Sequence, residues 1–171
     1  MNDVLSISER DTPALVALAA DLLQKKGWML ATAESCTGGL IAGACTDLSG
    51  SSAWFERGIV SYSNAAKVEL LGVPEQLIAA HGAVSEEVVR AMAEGAIARS
   101  RAQVAVAVTG VAGPTGGSPE KPVGLVWFGW SIDGVLSSEQ RLFPGDRAAI
   151  RAATVHHALQ TLVRQLAADK V

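Results

Sequence analysis

Ser35 stands where an apolar run should end and a helix begin. Trp28-Met29-Leu30-Ala31-Thr32 leads into Ala33-Glu34-Ser35-Cys36-Thr37-Gly38-Gly39, and a helical pattern follows. A serine at such a junction lies beside backbone N–H groups that can gather an anion or a developing oxyanion. Alone it is a weak nucleophile, so acyl transfer requires a base within hydrogen-bond reach. None of the three histidines, His81, His156 and His157, falls beside a strand end in the expected element order. Lys67 is the better partner, because serine–lysine pairs perform acyl transfer on unrelated folds and burial among Ala65, Ala66 and Val68 would tune a lysine towards neutrality. The competing reading is plain: a turn or helix-cap serine and an exposed helix lysine.

Other groups extend this candidate site. The amides of Cys36, Thr37, Gly38 and Gly39 suit an oxyanion, where one donor is worth about 3 kcal/mol in the transition state, and they suit a phosphate equally well. Cys36 is a rival nucleophile, ranked below Ser35 because a cysteine opening a helix more often packs. Glu34 is either a pocket acid or, the favoured reading, a structural charge at the strand end. Arg147, just after Gly145-Asp146, can reach a carboxylate or phosphate from the start of the last helix. The glycine-rich stretch Gly110–Gly117 lacks both the phosphate-loop ending and the dinucleotide fingerprint, and is expected to be a flexible pocket wall.

The elements that must position these groups follow from periodicity and punctuation. Asp11-Thr12-Pro13 opens a first amphipathic helix that runs to Gly27. Met29–Thr32 is a short buried strand, and Thr37 or Gly38 starts a small-residue helix reaching Leu48-Ser49-Gly50, which would pack close to a sheet. Gly58–Ser63 is a second strand, with Asn64 capping a helix that carries Lys67 about one turn in. Pro74 begins a short helix and Ser85-Glu86-Glu87 a long alanine-rich one. Val104–Thr109 has the continuous apolar pattern of a strand covered on both faces. Gly124–Ile132 and Val135–Phe143 form a hairpin around Asp133-Gly134, and a helix from Asp146 to about Ala168 closes the chain. The alternation predicts an α/β fold with helices on both faces of a mixed, mostly parallel sheet, and a ligand beyond the strand ends where Glu34-Ser35, Tyr62-Ser63-Asn64 and Thr109-Gly110 emerge.

Composition narrows the function. The 171 residues, 49% of them apolar, suit one domain, with its core at about 13–166 and 1–11 a loose N-terminal segment. A net charge of −3 without clustered Lys and Arg argues against a nucleic-acid surface. No signal peptide or spanning stretch is evident. Cys36 and Cys45 are expected on one helix, too far apart to bridge and too few for a metal cluster, which points to a reducing cytoplasmic compartment. Among the four tryptophans, Trp54, beside Phe55 in a turn region, is expected at a subunit contact.

Six ordered motifs carry a resemblance: Ala33–Gly39, Gly50-Ser51-Ser52-Ala53-Trp54-Phe55, Tyr62-Ser63-Asn64-Ala65-Ala66-Lys67, His81-Gly82-Ala83-Val84-Ser85, Thr109–Pro114 and Lys121-Pro122-Val123-Gly124. The chain resembles the CinA C-terminal domain family from about Pro13 to Leu166. That resemblance implies a three-layer α/β/α sandwich forming dimers or higher homo-oligomers. It implies deamidation of nicotinamide mononucleotide to nicotinate mononucleotide and ammonia, in pyridine-nucleotide recycling, without metal or organic cofactor. Some relatives carry a second, N-terminal domain for which this length leaves no room, so the domain standing alone is expected to point to the amidase. Carried over, Ser35 is the nucleophile, Lys67 the base, and Tyr62, Ser63, Asn64, Thr109, Gly110 and Arg147 contact substrate; Ser51 or Ser52 could assist or replace Ser35. Two alternatives stay open: a non-catalytic nucleotide-binding or regulatory module, and an amidase for a different small amide.

Overall fold

Asp11 accepts a hydrogen bond from the Ala14 N–H at 3.0 Å, so helix α1 opens at Thr12; it closes at Lys26, where Gly27 turns left-handed (φ 66°). The computed structural model describes residues 7–168. After α1 (Thr12–Lys26) come β1 (Leu30–Glu34), α2 (Leu40–Thr46), a 3-10 turn (Ser51–Ala53), β2 (Phe55–Val60), α3 (Asn64–Leu71) and α4 (Glu75–His81). Then follow α5 (Glu86–Ala98), β3 (Val104–Gly110), β4 (Leu125–Ile132), β5 (Val135–Leu142) and α6 (Arg147–Ala168).

The strands form one sheet of order β2-β1-β3-β4-β5. The β1–β2 and β1–β3 ladders are parallel and the β3–β4 and β4–β5 ladders antiparallel. The sheet is therefore mixed, and its antiparallel share equals its parallel one. Side-chain alternation gives its two faces different characters. Leu30, Val104, Val106, Val108, Phe128 and Trp130 pack against α1, α2 and α6, whereas Ala31, Ala33, Ala105 and Ala107 meet the layer of α3, α4 and α5. The small side chains let α5 approach closely: a Cβ on Gly129 would lie 2.9 Å from the Val89 carbonyl oxygen. Helices on both faces make the three-layer sandwich.

Several elements depart from the periodicity. Helix α2 begins at Leu40, later than expected, because Gly38 (φ 59°) and Gly39 (φ 101°) hold left-handed backbone that no helix accommodates. Cys36 thus sits in the preceding turn, and only Cys45 of the pair is helical; both thiols are free and buried. Strand β2 starts at Phe55 because pairing with β1 recruits its polar first half. Helix α3 is capped by Ser63, whose hydroxyl accepts from the Ala66 N–H at 3.0 Å, with Asn64 as its first residue. Trp54 is 1% exposed and packs edge-on to Phe55 within the core, so it makes no surface contact. Ile7, inside the segment expected to be loose, is 1% exposed and joins the same core; residues 1–6 lie outside the described residues. No helix among the described residues is long and apolar enough to cross a membrane.

Candidate active site

The site arises where neighbouring strands send their helices to opposite faces. From β1 the chain passes to α2 on the large-residue face, and from β2 to α3 on the alanine face, leaving a crevice beyond the carboxyl ends. Ser35 follows the last residue of β1, and its N–H still bonds the Val108 carbonyl of β3 at 3.1 Å. Ala33, two residues earlier, faces the α3 layer, so alternation turns the serine side chain to the same face, towards Lys67.

Lys67 is 1% exposed, and its Nζ donates to Ser35 Oγ at 3.0 Å, to the Ser61 carbonyl at 2.9 Å and to the Tyr62 carbonyl at 3.3 Å. These three partners are not equivalent. The two carbonyls can only accept, so they hold two N–H bonds of the amine towards themselves. In the neutral amine, the remaining position, aimed at Ser35, is then the lone pair. Burial lowers the Lys67 pKa below its ordinary 10.5, against a smaller opposing contribution from Cys36. The arrangement can accept the serine proton and later return it.

A cavity of about 200 Å³ opens on this pair, walled by Ser35, Cys36, Asn64 and Lys67 on one side and by Thr109, Gly110 and Ala112 on the other. Gly110 leaves no room for a side chain, since a Cβ there would lie 2.7 Å from Val126 Cγ2. Thr109 Oγ1 donates to the Ala83 carbonyl at 2.8 Å, fixing the Ala83-Val84 wall, and the Lys121 ammonium donates to the His81 carbonyl at 2.6 Å, pinning the glycine-rich loop to α4. At the rim Arg147 donates to Tyr62 Oη (3.0 Å) and to the Gly113 carbonyl (2.8 Å). Arg147 and Ala112 also line a second, larger hollow of about 620 Å³ that runs past Pro114 and Val123 to Arg151.

Not every expected residue is brought to the cavity. Thr37, Gly38 and Gly39 do not wall it, because the turn closes on itself and the Gly38 N–H donates to the Ser35 carbonyl at 3.0 Å. Of that loop only Cys36 faces inward, and burial pushes its thiol up to about 11, which leaves little thiolate near neutrality. Ser63 caps α3 and is not on the wall. Ser51 and Ser52 lie beside Trp54, whose carbonyl meets the start of β1, about 15 Å of strand away from Ser35. Glu34 lies behind the turn, fully buried. His81, His156 and His157 stay outside the wall. Sequence reasoning missed Arg151, which donates to the Cys36 and Thr37 carbonyls, both at 3.1 Å. Its spacing of one helical turn from Arg147 was the available signal.

Fold and site together define an α/β protein with a serine–lysine pair set in a cleft beyond its strand ends. The chain belongs to the CinA C-terminal domain family, whose model matches residues 13–166. It is similar to nicotinamide-nucleotide amidohydrolase PncC of Enterobacter agglomerans, 52% identical over 160 residues that cover 93% of this chain and 98% of that protein. The PncC of Pseudomonas putida is 57% identical over 142 residues, covering 83% and 89%. The crystal structure of competence damage-inducible protein A from Klebsiella pneumoniae superposes with a TM-score of 0.91 at 39% identity, covering 94% of this chain and all of that one.

Proposed function

We propose that this chain is a nicotinamide-nucleotide amidase that converts nicotinamide mononucleotide to nicotinate mononucleotide and ammonia, in pyridine-nucleotide recycling. The observation that carries the reading is the 3.0 Å contact from Lys67 Nζ to Ser35 Oγ, buried at the bottom of a small cavity. The substrate assignment draws on the relatives named nicotinamide-nucleotide amidohydrolase.

In this reading Ser35 Oγ attacks the carboxamide carbon as its proton passes to neutral Lys67. The carbonyl oxygen becomes an oxyanion, for which we assign the backbone N–H of Cys36, a residue of the cavity wall, as donor. Collapse breaks the C–N bond, Lys67 gives its proton to the departing nitrogen, and ammonia leaves. Water then attacks the acyl ester while Lys67 takes one of its protons. That proton returns to Ser35 Oγ as the ester bond breaks, and the carboxylic acid formed loses its own proton to solvent or to the released ammonia, giving the carboxylate product. The small cavity takes the carboxamide ring. The adjoining hollow takes the ribose phosphate, with Arg147 at the junction supplying the cation.

The reading is tested by ammonia release from the mononucleotide by the purified protein with Ser35→Ala in parallel. Release by the wild type alone supports it. Binding without release would favour a non-catalytic module, and release from other amides only would replace the substrate. A cytoplasmic homodimer or higher oligomer belongs to the same proposal. Exposed Leu70, Val135 and Leu142 offer apolar contact area, and sedimentation equilibrium reads the mass.

A further inference from the structure

The turn that carries the nucleophile is gripped from two sides by charged side chains that do not line the small cavity, although Arg151 also borders the adjoining hollow. Behind it, Glu34 is 0% exposed, and its carboxylate accepts four hydrogen bonds. Oε1 takes the Thr37 hydroxyl at 2.6 Å and the Ile41 N–H at 2.9 Å; Oε2 takes the Ala42 N–H at 2.9 Å and the Thr32 hydroxyl at 3.3 Å. Gly39, at the helix cap, has no side chain to offer, so the strand-end carboxylate satisfies the first turn of α2 instead. In front, Arg151 of α6 holds the Cys36 and Thr37 carbonyls. Thr37 is therefore held at both ends, its hydroxyl by Glu34 and its carbonyl by Arg151.

We infer that Glu34 and Arg151 are positioning residues that clamp the Cys36-Thr37 turn between the sheet and α6 and so set the direction of the Ser35 hydroxyl. The inference rests on Ser35 being the nucleophile. Both grips come from regular elements, a central strand and the longest helix, which hold a turn more rigidly than loop contacts do. The chemistry of the carboxylate is specific as well. Each oxygen faces a backbone N–H, so a glutamine of the same shape must oppose its amide nitrogen to Ile41 or Ala42. Lysine at position 151 keeps the charge but loses the fixed fork that reaches two carbonyls.

The test measures kcat and KM for ammonia release, together with the rate at which phenylmethylsulfonyl fluoride labels Ser35, in Glu34→Gln, Arg151→Lys, Thr37→Val and Thr37→Ser. Folding is checked by circular dichroism. A misplaced nucleophile predicts that Glu34→Gln, Arg151→Lys and Thr37→Val lose about 10- to 100-fold in kcat and in labelling rate, with KM changed less than about threefold in Glu34→Gln and Thr37→Val. For Arg151→Lys, at a position that also borders the hollow, the labelling rate is the deciding readout. Thr37→Ser, which keeps the hydroxyl, stays near wild type. Folded variants with wild-type kcat and labelling, or Thr37→Val equal to Thr37→Ser, overturn the clamp. If Glu34→Gln does not fold, Arg151→Lys and the Thr37 pair carry the test. Labelling of wild-type Ser35 without ammonia release would remove the substrate assignment while the labelling rates still read the clamp. A wild type unlabelled at Ser35 overturns it.

Discussion

At the scale of single residues, the proposed base is set by the partners of one amine. Two carbonyl acceptors orient Lys67 and burial lowers its pKa, so the competent neutral form gains population at lower pH than an ordinary lysine allows. The rising limb of kcat/KM should accordingly lie below pH 10.5, and a pH–rate profile that rises only at or above that value would remove Lys67 as base. The same shift bears on stability. Between the lowered folded value and 10.5 the unfolded chain binds the extra proton, so Lys67 makes the fold gain stability as pH rises through that window. Lys67→Met and Ser35→Ala should each remove about four orders of magnitude or more of turnover, while product binding to Lys67→Met, measured by calorimetry, stays largely intact. Cys36→Ala should retain most activity, because its thiol, pushed up to about 11, is protonated at neutral pH.

At the scale of elements, glycines decide how closely the helices of one layer sit. A Cβ on Gly95 of α5 would come 2.0 Å from the Leu71 carbonyl at the end of α3, the helix that carries Lys67. Two effects oppose each other in Gly95→Ala: better helix propensity gains about 1 kcal/mol, and overpacking costs about 1–3 kcal/mol or more. A contact to backbone at that distance cannot be relieved by a side-chain rotation, so strain wins. Gly95→Ala should lower stability in urea titrations and reduce activity by moving α3; a variant more stable than wild type would refute this.

At the scale of the whole molecule, α6 ties the layers together. His157 packs edge-on against Phe128 at 4.8 Å and meets Glu139 Oε1 of β5 at 3.2 Å, while Trp130 Nε1 donates to the Ala158 carbonyl. Burial lowers the His157 pKa below 6.5, with Glu139 opposing and Arg141 adding to the effect. The unfolded chain therefore binds the proton more readily, and stability is lost as pH falls from about 6.5 towards the lowered folded value. His157→Phe should flatten that acid limb in thermal melts between pH 5 and 7.5; an unchanged limb would assign acid sensitivity to other groups.

Local chemistry was legible without coordinates. The Asp11 and Ser85 caps, the continuous apolar run of β3, the Asp133-Gly134 hairpin and the placement of Lys67 one turn into a helix all follow from side-chain periodicity and capping, which act over a few residues. The junction at Ser35 was equally visible, because the strand run stops at polar residues and two glycines. Tertiary structure decided the rest. Pairing with β1 extended β2 through Phe55-Glu56-Arg57 and drew Trp54 into the core, against their local turn character. Sheet order put the Ser51-Ser52 hydroxyls at the far end of β1 and Arg151 against the nucleophile's turn, from the other end of the chain. Whether a loop amide faces a cavity or closes its own turn depends on two left-handed glycines and on a carboxylate buried behind them. Those are consequences of packing, and no spacing of residue types contains them.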